Sequence, residues 1–138
     1  MLHQEVTGSV IKSFYNVYNE LGYGFLEKIY EKAMIIELQK RGLKCVAQYP
    51  IQVTYKGLSI GDYFADIFVA NSIIVELKAA EFISLGHESQ LINYLKATDI
   101  EIGLLLNFGR KPKFKRKIYS NNNKNPCKSK KSVQSAFY

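Results

Sequence analysis

The sequence predicts a mixed α/β (α+β) domain, a central sheet flanked by helices in the order α-α-β-β-β-β-α-β-(β). Three observations set that class. Two stretches of helical period open the chain, and each is closed by a glycine. Two apolar, β-branched and aromatic runs then flank Ala70-Asn71-Ser72 and read as a β-hairpin. A third helical stretch is followed by a continuous apolar run, the pattern of a buried strand returning parallel to the sheet.

Taken in order, Val6, Val10, Phe14, Val17 and Leu21 recur at helical spacing, so a first helix covers Thr7 to Leu21 with Gly22 as a left-handed cap. A second runs from Phe25 to Arg41 and is capped by Gly42. Leu26, Ile29, Ala33, Ile36 and Lys40 trace one of its faces, and Glu27, Tyr30, Glu31 and Met34 lie on another, because residues three and four apart are neighbours. Cys45-Val46 and Ile51–Tyr55 follow around Pro50, which marks a strand start or an edge because it donates no ladder hydrogen bond. Lys56-Gly57 turns the chain into Leu58–Ile60, and Gly61 is a candidate bulge, giving three or four antiparallel strands in all. Ser84 caps a third helix reaching about Thr98, with Leu91, Ile92 and Leu95 as its stripe and His87 as a surface or capping residue. Glu101–Asn107 is the parallel return, and its crossover should be right-handed. Phe114–Tyr119 alternates weakly, as an edge strand guarded by lysines does.

Length and composition narrow the function. The chain has 138 residues, enough for one domain with a core, and 47% of them are hydrophobic. No apolar run approaches the ~20 residues of a membrane helix, and the N-terminus lacks the basic and apolar regions of a signal peptide. Cys45 and Cys127 suggest neither a disulfide framework nor a zinc site, so a reducing cytoplasm is the expected compartment. The net charge of +7 is unevenly shared: from Arg110 onward there are ten Lys or Arg and no acid, against nine and twelve before it. The expected organisation is one domain over 1–119 and a basic tail over 120–138, whose Asn, Lys and Ser composition buries too little apolar surface to fold alone. Such a tail either supplies salt-sensitive attraction to phosphates or is a solubilising or vestigial extension.

The chemistry is concentrated in the hairpin, Tyr63–Val69 and Ile73–Ala79. Glu76 and Lys78 share a strand face. If the loop is Ala70-Asn71-Ser72, Val69 pairs with Ile73 and Asp66 falls opposite Glu76; a two-residue loop would send Asp66 to the other face. Glu-x-Lys alone is usually a solvated face. Here the flanking Ile67-Phe68-Val69 and Ile73-Ile74-Val75 are apolar on both faces, the mark of central strands, where charge needs a reason. Opposed carboxylates are destabilising unless neutralised, and hard oxygen ligands at this spacing suit magnesium or manganese. Lys78 beside such an ion could hold an attacking water or stabilise charge building on a phosphate. Gln90 and Tyr94 share a face of the third helix, an arrangement that is commonly a half-buried packing pair.

This order of elements and residues resembles the PD-(D/E)xK nuclease superfamily, and more closely the small bacterial GxxExxY proteins, whose name Gly24-Phe25-Leu26-Glu27-Lys28-Ile29-Tyr30 fits letter for letter. Similarity extends over approximately Val6 to Tyr119, with Ala65 where the signature has proline. The resemblance implies a restriction-endonuclease-like core and Mg²⁺-dependent hydrolysis of phosphodiester bonds, Mn²⁺ being an alternative ion. It implies that Asp66 and Glu76 bind metal, with the Leu77 carbonyl a further ligand, Glu27 joining the site and Lys78 acting as the catalytic lysine. Gln90-x-x-x-Tyr94 resembles a motif found beside the substrate strand, and Tyr30 is placed with them as substrate-binding. The implied partner is nucleic acid, DNA favoured over RNA, cut to 5′-phosphate and 3′-hydroxyl ends. The oligomeric state is left open, a homodimer included. An inactive nuclease fold that binds nucleic acid or a protein is the alternative.

Overall fold

The computed structural model describes residues 3–124. Helices α1 (His3–Leu21) and α2 (Glu27–Lys40) precede strands β1 (Cys45–Tyr55), β2 (Leu58–Val69) and β3 (Ile73–Lys78); α3 (Leu85–Lys96), β4 (Ile102–Phe108) and β5 (Pro112–Ile118) complete the domain. The five strands lie in the order β1-β2-β3-β4-β5, with β3 and β4 parallel and the other neighbours antiparallel. This is the expected α+β layout of a restriction-endonuclease-like core. The residues on either side of Pro50 form one strand, as do those on either side of Gly61, so three strands precede α3. Pro50 is tolerated because β1 is an edge strand. The bulge lies beside Gly61: Val53 pairs with Gly61 and Thr54 with Ser59, leaving Ile60 extra.

Helix ends follow the glycines. Gly22 and Gly42 adopt φ of 70° and 81°. At the second, Gly42 N–H donates to Gln39 O and Leu43 N–H to Leu38 O, the paired bonds of a Schellman cap. Helix α2 starts two residues later than expected because Leu26 is extended. At α3, Ser84 Oγ accepts from His87 N–H, and His87 Nδ1 accepts from Ser84 N–H, which closes a capping box and accounts for His87.

Helices α1 and α2 cover one face of the sheet, where Val10, Phe14, Tyr30, Met34 and Leu38 pack on Ile67, Val75, Leu104 and Leu106. On the other face Leu91 and Leu95 of α3 pack on Phe68, Ile74 and Leu105. Strand β3 is thus buried on both sides, as its apolar run requires. The face α2 presents to the sheet carries Tyr30, Glu31, Met34 and Leu38, whereas Leu26 and Ile36 on the more apolar side are 79% and 58% exposed. The buried Glu31 on that side is bonded to Gln48 of β1.

The expected tail begins as a fixed turn. Ser120–Lys124 packs back on the body, with Asn121 N–H donating to Glu101 Oε2 and the buried Lys124 Nζ donating to the Thr98 and Ile100 carbonyls. Burial pulls the Lys124 ammonium below its usual pKa. The rest of the expected tail and Cys127 lie outside the described residues. Cys45 is a free, half-buried thiol.

Candidate functional site

The hairpin register is Val69↔Ile73, Phe68↔Ile74 and Ile67↔Val75, and there the β2–β3 ladder stops. One step further, Asp66 and Glu76 face each other as the three-residue loop dictates. Their side chains replace the missing backbone bonds: Asp66 N–H donates to Glu76 Oε2 at 2.7 Å, and Leu77 N–H donates to Asp66 Oδ2 at 2.7 Å. Beyond this point β2 pairs only with β1, and β3 only with β4. Two carboxylates therefore occupy the fork where the sheet divides. Because N–H and C=O of one strand residue point the same way, the Leu77 carbonyl projects into that fork.

The electrostatics describe two carboxyls strained first by burial and then by like charge. Glu76 is only 4% exposed. Burial, then the charge of Asp66, push its carboxyl from 4.5 to about 8, against the pull of the Asp66 N–H and of Lys78. Asp66 is raised chiefly by burial, and also by Glu31 and Glu27, while the Leu77 N–H and Lys78 draw it down. Lys78 thus acts on both carboxylates. Each carboxylate spends one oxygen on an N–H, so the second oxygen of each has no protein donor among the described residues. With the Leu77 carbonyl these are the hard oxygens that could hold a divalent cation. A cation would also offset the burial, and the like charge beside it, that raise both carboxyls.

Not all the expected residues converge. Among the described residues no three His, Cys, Asp or Glu side chains lie close enough together to cage an ion. Glu27 is exposed on the first turn of α2, lining a cavity of about 500 Å³ with Phe25, Ala79, Ala80, Glu81 and Arg110. Its charge reaches Asp66 and Glu76, but among the described residues it makes no cluster of three carboxylates with them. Tyr30 is a correction: it is 0% exposed, stacked 4.1 Å from Phe108, and its hydroxyl donates to Gly22 O while accepting from Phe25 N–H. It fixes the α1–α2 loop and has no surface to offer a substrate. Gln90 and Tyr94 do lie together, lining a groove with Tyr63, Ser89 and Asn93. Tyr94 is pushed up to about 12, first by burial and then by the charges of Glu76 and Asp66.

Three residues were not singled out from the sequence. Glu31, 7% exposed on α2, accepts from Gln48 Nε2 at 2.7 Å and raises Asp66. Gln48 stands across from Asp66 at the gap between the Ala47↔Ile67 and Tyr49↔Ala65 pairs, with a left-handed φ of 53°. Glu31 had a signal, since it shares the face of Glu27; Gln48 had none. Asn107, level with Lys78 on the neighbouring strand, accepts from Ala80 N–H at 2.9 Å and donates to Ala80 O at 3.0 Å. It pins the chain leaving β3 two residues after Lys78.

The surface charge is redistributed as well. Arg110, Lys111, Lys113, Lys115, Arg116 and Lys117, assigned by charge to the basic C-terminal segment, belong to β5 and its entry. The folded domain therefore carries its own basic edge, two strands from Glu76. A family model described as the PD-(D/E)XK nuclease superfamily matches residues 4–118, a span that contains every residue of the fork. No curated protein and no solved structure matches the chain.

Proposed function

The chain belongs to the PD-(D/E)XK nuclease superfamily, and from that membership and the fork at Asp66 and Glu76 we propose that it hydrolyses phosphodiester bonds in nucleic acid, preferentially DNA, with a divalent cation. One observation carries the reading: the crossed hydrogen bonds that hold two repelling carboxylates together at the end of the hairpin. Arranging these groups is costly to folding unless a cation completes them. The GxxExxY motif at Gly24–Tyr30 supports placement among that group of proteins, and Glu27 is proposed to complete the site when substrate and ion bind.

Asp66, Glu76 and the Leu77 carbonyl would hold Mg²⁺, with Mn²⁺ as an alternative. The bound ion would supply Lewis acidity at the scissile phosphate and lower the pKa of water there. Lys78, whose charge reaches both carboxylates, orients the attacking water and stabilises charge on the phosphoryl oxygens. The water oxygen bonds to phosphorus and gives up a proton to solvent as the bond to the 3′ oxygen breaks, and that oxygen takes a proton from solvent, leaving a 5′-phosphate and a 3′-hydroxyl. The basic edge β5 gives sequence-independent attraction to the backbone. Among the described residues no helix is long and apolar enough to cross a membrane, and we place the protein in the cytoplasm.

The test is incubation with labelled single- and double-stranded DNA and RNA in Mg²⁺, Mn²⁺ or chelator. Cleavage by wild type with metal, lost in chelator and in Lys78→Ala with its circular dichroism unchanged, supports the reading. Equal cleavage by Lys78→Ala ends it. A second reading, a nuclease fold retained as a binding module, draws on Glu27, which among the described residues makes no cluster of three carboxylates with Asp66 and Glu76. It requires nucleic-acid binding that neither needs nor responds to metal.

A further inference from the structure

The hairpin of β1 and β2 continues past the fork as a two-stranded arm, and between this arm and α3 lies a groove of about 440 Å³. Its volume is in the ~300–1,000 Å³ range of ligand sites. Tyr63 of the arm forms one wall, and Ser89, Gln90, Asn93 and Tyr94 of α3 form the other, with Lys96 at one end. The two tyrosine rings have centroids 5.9 Å apart and are tilted by 46°, so they are not stacked face to face, and Tyr63 stays 49% exposed. Tyr94 joins this groove to the fork: it packs in one buried cluster with Ala65, next to Asp66, and Ile74, two residues before Glu76, and the charges of both carboxylates act on its hydroxyl.

We propose that this groove receives an unpaired nucleobase, so that the strand presented to the carboxylates is single-stranded. The inference rests on the hydrolytic reading above for the role of the neighbouring fork. An exposed aromatic face stacks on any base because every base has a π-face. The Gln90 and Asn93 amides and the Ser89 hydroxyl can each donate and accept, matching the mixed edge of a base. In a duplex both features are hidden, the faces by neighbouring bases and the edge by the partner. Lys96 provides a cation for the adjoining phosphate. Other surfaces say less: a cavity of about 620 Å³ between Tyr49 and Glu101 is lined by neither carboxylate of the fork, and nothing shows what covers the apolar side of α2.

The experiment uses the Lys78→Ala protein in Mg²⁺, with fluorescently labelled single-stranded DNA, single-stranded RNA and DNA duplex of one sequence, read by anisotropy. Single strands are expected to bind more tightly than duplex. Tyr63→Ala should weaken single-strand binding about tenfold while Tyr63→Phe holds it within about twofold, since stacking needs the ring and not the hydroxyl. Asn93→Ala, at an exposed position, should weaken it about fivefold. Preference for duplex, or single-strand binding unchanged in both Tyr63→Ala and Asn93→Ala, overturns the proposal. Metal-dependent cleavage by the wild-type protein is measured alongside. Cleavage that is indifferent to Tyr63→Ala on single strands refutes the groove and leaves the hydrolase; Tyr63-dependent binding without cleavage refutes the hydrolase and leaves the groove.

Discussion

Glu76→Gln separates what the carboxylate does for the fold from what it does for the site. The folded carboxyl titrates at about 8 against 4.5 ordinarily. A folded pKa above the unfolded one means that the folded state binds the proton more tightly. Its contribution is therefore full below the unfolded pKa and is lost as pH rises through about 8. At ~1.4 kcal/mol per tenfold, the loss is on the order of 5 kcal/mol, an upper figure because Asp66 shares the repulsion. Glutamine keeps an oxygen to accept from the Asp66 N–H and cannot ionise. Urea unfolding followed by circular dichroism in chelator, from about pH 5 to about pH 9, should show wild type losing stability relative to Glu76→Gln as pH rises. The difference cancels groups titrating in both proteins. Excess Mg²⁺ at the alkaline end should restore wild type and leave the variant unchanged. Parallel pH profiles would refute the argument that Glu76 is buried under repulsion.

Asn107→Ala removes both bonds to Ala80 from a buried site and should cost about 2–3 kcal/mol in urea unfolding, with a larger fractional loss of cleavage than of folded protein because the chain two residues after Lys78 is no longer pinned. Tyr30→Phe loses the hydroxyl bonds to Gly22 and Phe25 and should cost about 1–2 kcal/mol, with cleavage by the folded protein retained. Loss of substrate affinity without loss of stability in that variant would return Tyr30 to the binding surface. Replacing Lys113 and Lys115 by alanine should reduce the slope of log affinity against log salt by up to ~0.7–0.9 per lysine; an unchanged slope would remove β5 from the interface.

Much of this was legible from the chain because the hairpin declares its own register. Three loop residues between two apolar runs fix Val69 against Ile73, and period two then sets Asp66 against Glu76. The response of the backbone there was not legible. Opposed carboxylates stop the ladder and take over its N–H groups, and no local propensity encodes that exchange. The buried side of α2 was hidden for a related reason. It carries Glu31, bonded to Gln48 of β1, beside Met34 and Leu38, so hydrophobicity alone points to the wrong side. Gln48 was invisible because its partner Glu31 is seventeen positions away and its left-handed backbone has no sequence mark. Tyr30 misled through its motif: the spacing is right, but the ring is needed under the loop.

Isothermal titration calorimetry of Mg²⁺ and Mn²⁺ into wild type and Asp66→Asn tests the metal centre most directly. Asparagine still accepts from the Leu77 N–H, so the fork keeps its shape while losing a charge. Saturable binding heat in wild type, abolished in Asp66→Asn, is the expected result. Absence of heat in wild type, or equal heat in both proteins, would contradict a cation held between Asp66 and Glu76.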